Sequence, residues 1–129
     1  MILLDTHVVI WMASDPGKLS RNASDAIRHA NREGGIAISA VTLWEFAWLM
    51  TNRRLEIAGT VEAFVEEIAE RFAVRPITPK IAVLATQLPD SYPKDPIDKL
   101  IGATALSEGM TLITKDREIR ASKIVKTIW

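Results

Sequence analysis

Apolar residues in this chain fall either in short unbroken runs or in stretches with helical spacing. Ile2–Leu4, β-branched and leucine, reads as a buried parallel strand. Ile36-Ala37-Ile38, Ala73–Ile77, Thr111–Thr114 and Ile124–Ile128 are further strand candidates. Between them lies the punctuation of helices. Asp15-Pro16-Gly17 marks a loop, Ser20 caps a helix running to about Glu33, and Gly34-Gly35 stops it. Ser39 caps another helix through Met50. Gly59-Thr60 opens a third, in which Val61, Phe64, Val65, Ile68 and Phe72 form one stripe opposite Glu62, Glu66, Glu67 and Glu70. Thr78-Pro79 and Asp95-Pro96 share a cap-then-proline grammar; the first helix ends near Leu88-Pro89, the second near Glu108, with Gly109 as its stop. Strands alternating with helices predict a parallel sheet covered on both faces, an α/β fold.

No repeat, low-complexity tract or linker interrupts this pattern, so the 129 residues are expected to form one domain. With 48% hydrophobic and 25% charged residues, the composition is that of an ordinary globular protein. No apolar stretch is long enough to cross a bilayer, and no basic segment precedes an apolar leader. Cysteine is absent, which excludes disulfides and thiolate metal sites and suits a reducing cytoplasm. Sixteen basic residues balance sixteen acidic ones, so bulk charge does not mark a nucleic-acid binder. If several acids are bound to divalent cations, however, the remaining surface becomes basic. The segment Lys115–Lys126, KDREIRASKIVK, is already rich in cations, although a solvated face explains it equally well.

The distribution of carboxylates changes the picture. In open parallel sheets the binding crevice lies beyond the carboxyl ends of the strands. Asp5 ends the first predicted strand, and Glu45 lies on the helix launched from the second. Asp98 sits in the first turn of the helix opened by Asp95-Pro96, and Asp116 follows the fourth strand. Thr6 and Thr114 add hydroxyls at two of these strand ends. Packed carboxylates destabilise one another unless protons or cations compensate. Oxygen donors without Cys or a histidine pair suit Mg²⁺ or Mn²⁺ better than Zn²⁺. Such a centre polarises a phosphodiester and lowers the pKa of a bound water.

The runs LLDTHVVIW, SAVTLWEFAW, DPIDKLIGATAL and LITKD, in that order and spacing, resemble the PIN-domain nucleases, particularly VapC-type toxins of toxin–antitoxin pairs. The resemblance spans nearly the whole chain. It implies a three-layer α/β/α PIN-like domain with a short parallel sheet and Mg²⁺- or Mn²⁺-dependent endonucleolytic cleavage of RNA. A protein antitoxin and a second copy of the chain are the partners it implies. By this match Asp5, Glu45, Asp98 and Asp116 form the catalytic and metal-binding quartet, with Asp95 as an additional acid. Lys99, Thr6 and Thr114 are the candidates for contacting substrate phosphate. Two departures stand out: Lys99 occupies a position where arginine is usual, which gives up bidentate gripping. Gly102 replaces a residue such as alanine, which predicts a local packing change without loss of activity.

Blander readings compete at several positions. Asp95 precedes Pro96, so capping is favoured there over ligation, and Asp98 also complements a helix N-terminus. Asp116 suits a turn. Glu45, among Leu43, Trp44, Phe46 and Trp48, needs a partner. His7 reads as a structural residue. Trp44 and Trp48 share a helix face, for which core packing is the default and a dimer or antitoxin surface the alternative. Arg53-Arg54 suits solvent or RNA backbone. Two other functions compete with this reading: a catalytically silent PIN-like binding module, and a phosphoacceptor signalling domain. The second needs paired acids after the first strand and an aspartate ending a middle strand, and the chain has neither.

Overall fold

A computed structural model describes all of residues 1–129. Strand β1 (Ile2–Leu4) leads directly into helix α1 (Thr6–Ser14), and α2 (Arg21–Arg32) leads to β2 (Ile36–Ser39). Helices α3 (Ala40–Thr51) and α4 (Val61–Arg71) lead to β3 (Ala73–Arg75). Next come α5 (Pro79–Thr86), α6 (Pro96–Glu108) and β4 (Thr111–Ile113), then α7 (Arg117–Ser122) and β5 (Thr127–Ile128). All the strands pair in parallel, in the order β3-β2-β1-β4-β5.

Side-chain alternation along these short strands feeds two cores. Leu3, Ala37 and Leu112 point to one side, against Ile101 and Ala105 of α6 and Ile119 of α7. Leu4, Ile38 and Ile113 point to the other, against Val8 and Val9 of α1, Ala23 and Ile27 of α2, Phe46 of α3 and Ile68 of α4. Three α/β/α layers result, as the motifs implied. The chain steps one way from β1 through β2 to β3, then crosses back over β1 to β4 and on to β5. Because parallel crossovers share one hand, helices of opposite steps must cover opposite faces. The reversal puts β1 between β2 and β4, where a crevice opens beyond the carboxyl ends of the strands.

Most predicted caps form as their local chemistry requires. Ser20, Ser39, Thr60 and Thr78 each accept a backbone N–H in the first turn of their helix. The stripe on α4 faces inward, and Glu62, Glu66, Glu67 and Glu70 are exposed.

Several expectations are corrected. Residues 6–14 form a helix that the pattern did not reveal, because its apolar residues surround it. Strand β3 stops at Arg75, since Pro76 has no N–H to continue the ladder. The last strand is only Thr127–Ile128. Residues 117–122 are helical and Lys123 turns the chain in the left-handed region, φ 57°. Trp44 and Trp48 are 55% and 43% exposed, not packed in the core: α3 turns Phe46 and Val41 inward and leaves the tryptophan face open.

Candidate active site

Asp5, Asp95 and Asp116 stand where a strand or loop hands over to a helix. Asp5 follows β1, and its backbone N–H donates to the Ile113 carbonyl at 3.0 Å, extending the β1–β4 pairing by one residue. Its Oδ1 accepts the Thr6 N–H (2.8 Å), capping α1, and its Oδ2 accepts the Thr114 hydroxyl (2.7 Å). The Thr114 oxygen in turn accepts the Asp116 N–H (3.1 Å). Asp116 caps α7 through Oδ1, which takes N–H groups from Glu118 and Ile119. Asp95 does the same for α6, its Oδ1 accepting from Ile97 and Asp98. Glu45 rises from the middle of α3, half-buried, and Asp98 from the first turn of α6.

These side chains line one cavity of about 440 Å³: Asp5, Glu45, Asp95, Asp98 and Asp116, faced by His7, Trp11, Lys115 and Arg117. Neither ion pair of the molecule, Arg28–Asp25 or Arg75–Glu108, involves any of them. Burial raises the Asp5 carboxyl above its ordinary range; the Thr114 hydrogen bond, His7 and the Thr6 N–H oppose this, and the charge of Asp116 adds to it. Glu45 is also raised, by burial first; the Thr6 hydroxyl counteracts this and Asp5 adds to it. Asp98 is lifted from its ordinary 3.8 to about 7, by burial and then by repulsion from Asp5, Asp95, Asp116 and Glu45. Carboxylates that line one cavity raise one another in this way.

The carboxylates converge without closing into a cage. No three of them, with or without histidine, are drawn together closely enough to hold an ion as they stand. Asp5, Asp95 and Asp116 each commit Oδ1 to a helix cap. The donor set, all carboxylate oxygen and short of positive partners, still suits a hard divalent cation.

The proposed phosphate contacts are redistributed. Thr6 and Thr114 are 1% and 0% exposed, and their hydroxyls pair with Thr42 (3.1 Å) and Asp5. They hold the acids in place and cannot meet a substrate. Lys99 is not among the residues that line the cavity; Lys115 and Arg117, on either side of Asp116, are. Trp11 lies beside them, with the Lys115 Nζ 5.5 Å and the Lys18 Nζ 5.9 Å from its ring centroid. The sequence signals for this wall were the basic character of the segment Lys115–Lys126 and the position of Lys115 and Arg117 immediately flanking a candidate acid.

Fold and acidic cavity together define a PIN domain: the profile of that family matches residues 2–124, and the chain belongs to it. Among curated relatives it is 40% identical to Ribonuclease VapC22 of Mycobacterium tuberculosis, covering 99% of this chain and 98% of that one. Among solved structures it is similar to VapBC2 from Rickettsia felis bound to a promoter DNA fragment (TM-score 0.74, 16% identity, 99% of this chain and 98% of that one). It is also similar to DNA-bound VapBC from Salmonella typhimurium (TM-score 0.73, 20% identity, 99% and 98%). VapBC-1 from nontypeable Haemophilus influenzae matches comparably (TM-score 0.73, 18% identity, 99% and 97%). At those identities the structural likeness speaks for the fold.

Proposed function

We propose that this chain is a metal-dependent endoribonuclease acting as the toxin of a toxin–antitoxin pair. The reading is carried by one observation, the convergence of Asp5, Glu45, Asp98 and Asp116 on a single cavity at the carboxyl ends of the strands. The 40% identity to a protein named as a ribonuclease supports RNA as the substrate. When bound there, Mg²⁺ or Mn²⁺ supplies Lewis acidity toward the phosphodiester and a water that ionises near neutral pH.

The chain's own residues do the rest. Asp98, Asp116, Glu45 and Asp5 are the ligand set, with Asp95 adding charge from its cap position. Thr114 through its hydroxyl and Thr6 through its backbone N–H fix the Asp5 carboxylate, so that little reorganisation of this group is left for the moment of reaction. Lys115 and Arg117 offer the positive charge that an RNA backbone needs opposite an acidic wall. No serine or cysteine here is paired with a base, which favours water as the nucleophile; departure of the 3′ oxygen, the pattern of the family, leaves 5′-phosphate and 3′-hydroxyl ends. A chain of this kind works in the cytoplasm, neutralised by its antitoxin. The exposed Trp44–Trp48 face of α3 is the surface we assign to pairing with a second copy.

The test is timed cleavage of total RNA by the purified chain. Cleavage should require Mg²⁺ or Mn²⁺, stop with EDTA and return with added Mn²⁺. Activity that survives chelation refutes the metal-dependent reading, and metal-replete protein that leaves RNA intact refutes the enzyme reading in favour of the silent binding module.

A further inference from the structure

Gly102 lies in the middle of α6, where glycine weakens a helix, and the structure shows what it accommodates. A Cβ placed on it would come within 2.2 Å of the Tyr92 Oη and 2.5 Å of its Cζ. The tyrosine, 1% exposed, comes from the loop between α5 and α6, where its N–H closes a turn on Pro89. Its ring lies against the bare Cα, and its hydroxyl donates to the Asp98 carbonyl at 2.7 Å. In an α-helix that carbonyl already accepts the N–H of residue 102. The hydroxyl is therefore a second donor to a satisfied carbonyl, brought in through the space a side chain at Gly102 would fill. A phenylalanine would pack there equally well, so packing alone does not account for the oxygen.

The carbonyl belongs to the residue with most reason to move. Asp98 stands in the first turn of α6, facing Asp5, Asp95, Asp116 and Glu45, whose charges repel its own. Pro96, at the start of the helix, donates nothing, and the Asp95 cap holds only the N–H side of the turn. We propose that Tyr92 is a positioning residue for Asp98: its hydroxyl, admitted by the missing side chain at Gly102, pins the first turn of α6 against the repulsion of the other acids. The tether rests on the reading of the cavity as a metal-dependent ribonuclease site, and it makes the Gly102 departure and Tyr92 two halves of one device.

Tyr92→Phe tests it in the full-length chain. Residues that orient metal ligands typically change metal affinity or activity about 10- to 100-fold when altered. Mn²⁺ affinity, measured by calorimetry without RNA, should fall by that order, and kcat should fall with KM unchanged. In metal-free protein, amide exchange at Asp98 and Gly102 should quicken while the melting temperature moves by only a few degrees. Gly102→Ala alone should lose stability, and pairing it with Tyr92→Leu should restore part of that stability but not the Mn²⁺ affinity. Parent-like Mn²⁺ binding in Tyr92→Phe, or in the paired variant, overturns the tether. A parent chain that binds no Mn²⁺ and leaves RNA intact instead sinks the nuclease reading, and the exchange comparison then decides the tether by itself: unchanged exchange in Tyr92→Phe rejects it.

Discussion

Replacing Asp98 with asparagine removes one charge from the anionic cavity and nearly preserves the shape of the side chain. In the fold this carboxyl ionises near 7, against 3.8 unperturbed. Below about pH 4 both folded and unfolded chains hold the proton, and the group contributes nothing. As pH rises, the unfolded chain releases the proton first, so the folded state binds more protons and stability declines. The decline runs from about pH 4 to about pH 7 and is complete above that. Roughly three decades in acidity correspond to about 4 kcal/mol, which solvent screening at a half-buried site reduces to about 2 kcal/mol. Metal-free Asp98→Asn should therefore be more stable than the parent by about 2 kcal/mol at pH 8, and by less at pH 5. Urea unfolding in EDTA at the two pH values measures this, with an RNA cleavage assay alongside that should read zero. A variant less stable than the parent at pH 8 would mean that the carboxylate's attraction to the helix N-terminus outweighs the repulsion, and the electrostatic account would be wrong.

Other substitutions probe neighbouring parts of the site. Thr114→Val leaves the buried Asp5 Oδ2 and the Asp116 N–H without their partner, so it should cost about 1–3 kcal/mol in urea unfolding at pH 8. Because the lost bond favours the ionised carboxylate, that cost should shrink in acid; a pH-independent loss would show that Thr114 matters only through packing. Lys115→Ala with Arg117→Ala should raise KM for an RNA oligonucleotide and flatten its salt dependence, with parent-like Mn²⁺ binding in calorimetry. An unchanged KM would remove these cations from the substrate path. Trp44→Ser with Trp48→Ser should shift the sedimentation mass from dimer toward monomer without altering the circular dichroism spectrum. A mass equal to the parent's would place self-association elsewhere.

Much of this molecule is legible from local chemistry. A hydroxyl or carboxylate before a helix satisfies N–H groups only a few residues away, and so Ser20, Ser39, Thr60, Thr78 and Asp95 cap as their sequence context predicts. Asp5, Asp95, Asp98 and Asp116 could be nominated for the same reason: each follows a strand or lies at the opening of a helix, and a parallel sheet sends those junctions to one edge; Glu45 was nominated from the helix that β2 launches. Helix α1 was hidden because periodicity needs polar contrast, and α7 because its few residues carry too little of it.

What the sequence determined by itself, then, was most of the elements, the caps of α2 to α6 and the edge at which the carboxylates gather. Tertiary structure decided the rest, through contacts between residues far apart in the chain. It joined Thr114 to Asp5 across 109 positions, turning an expected substrate ligand into the support of a buried acid. It left Trp44 and Trp48 outside, because which side of α3 meets the sheet depends on how the whole helix packs. It also placed Tyr92 in the gap at Gly102, where a residue read as a small irregularity proves to be the space that a distant ring requires.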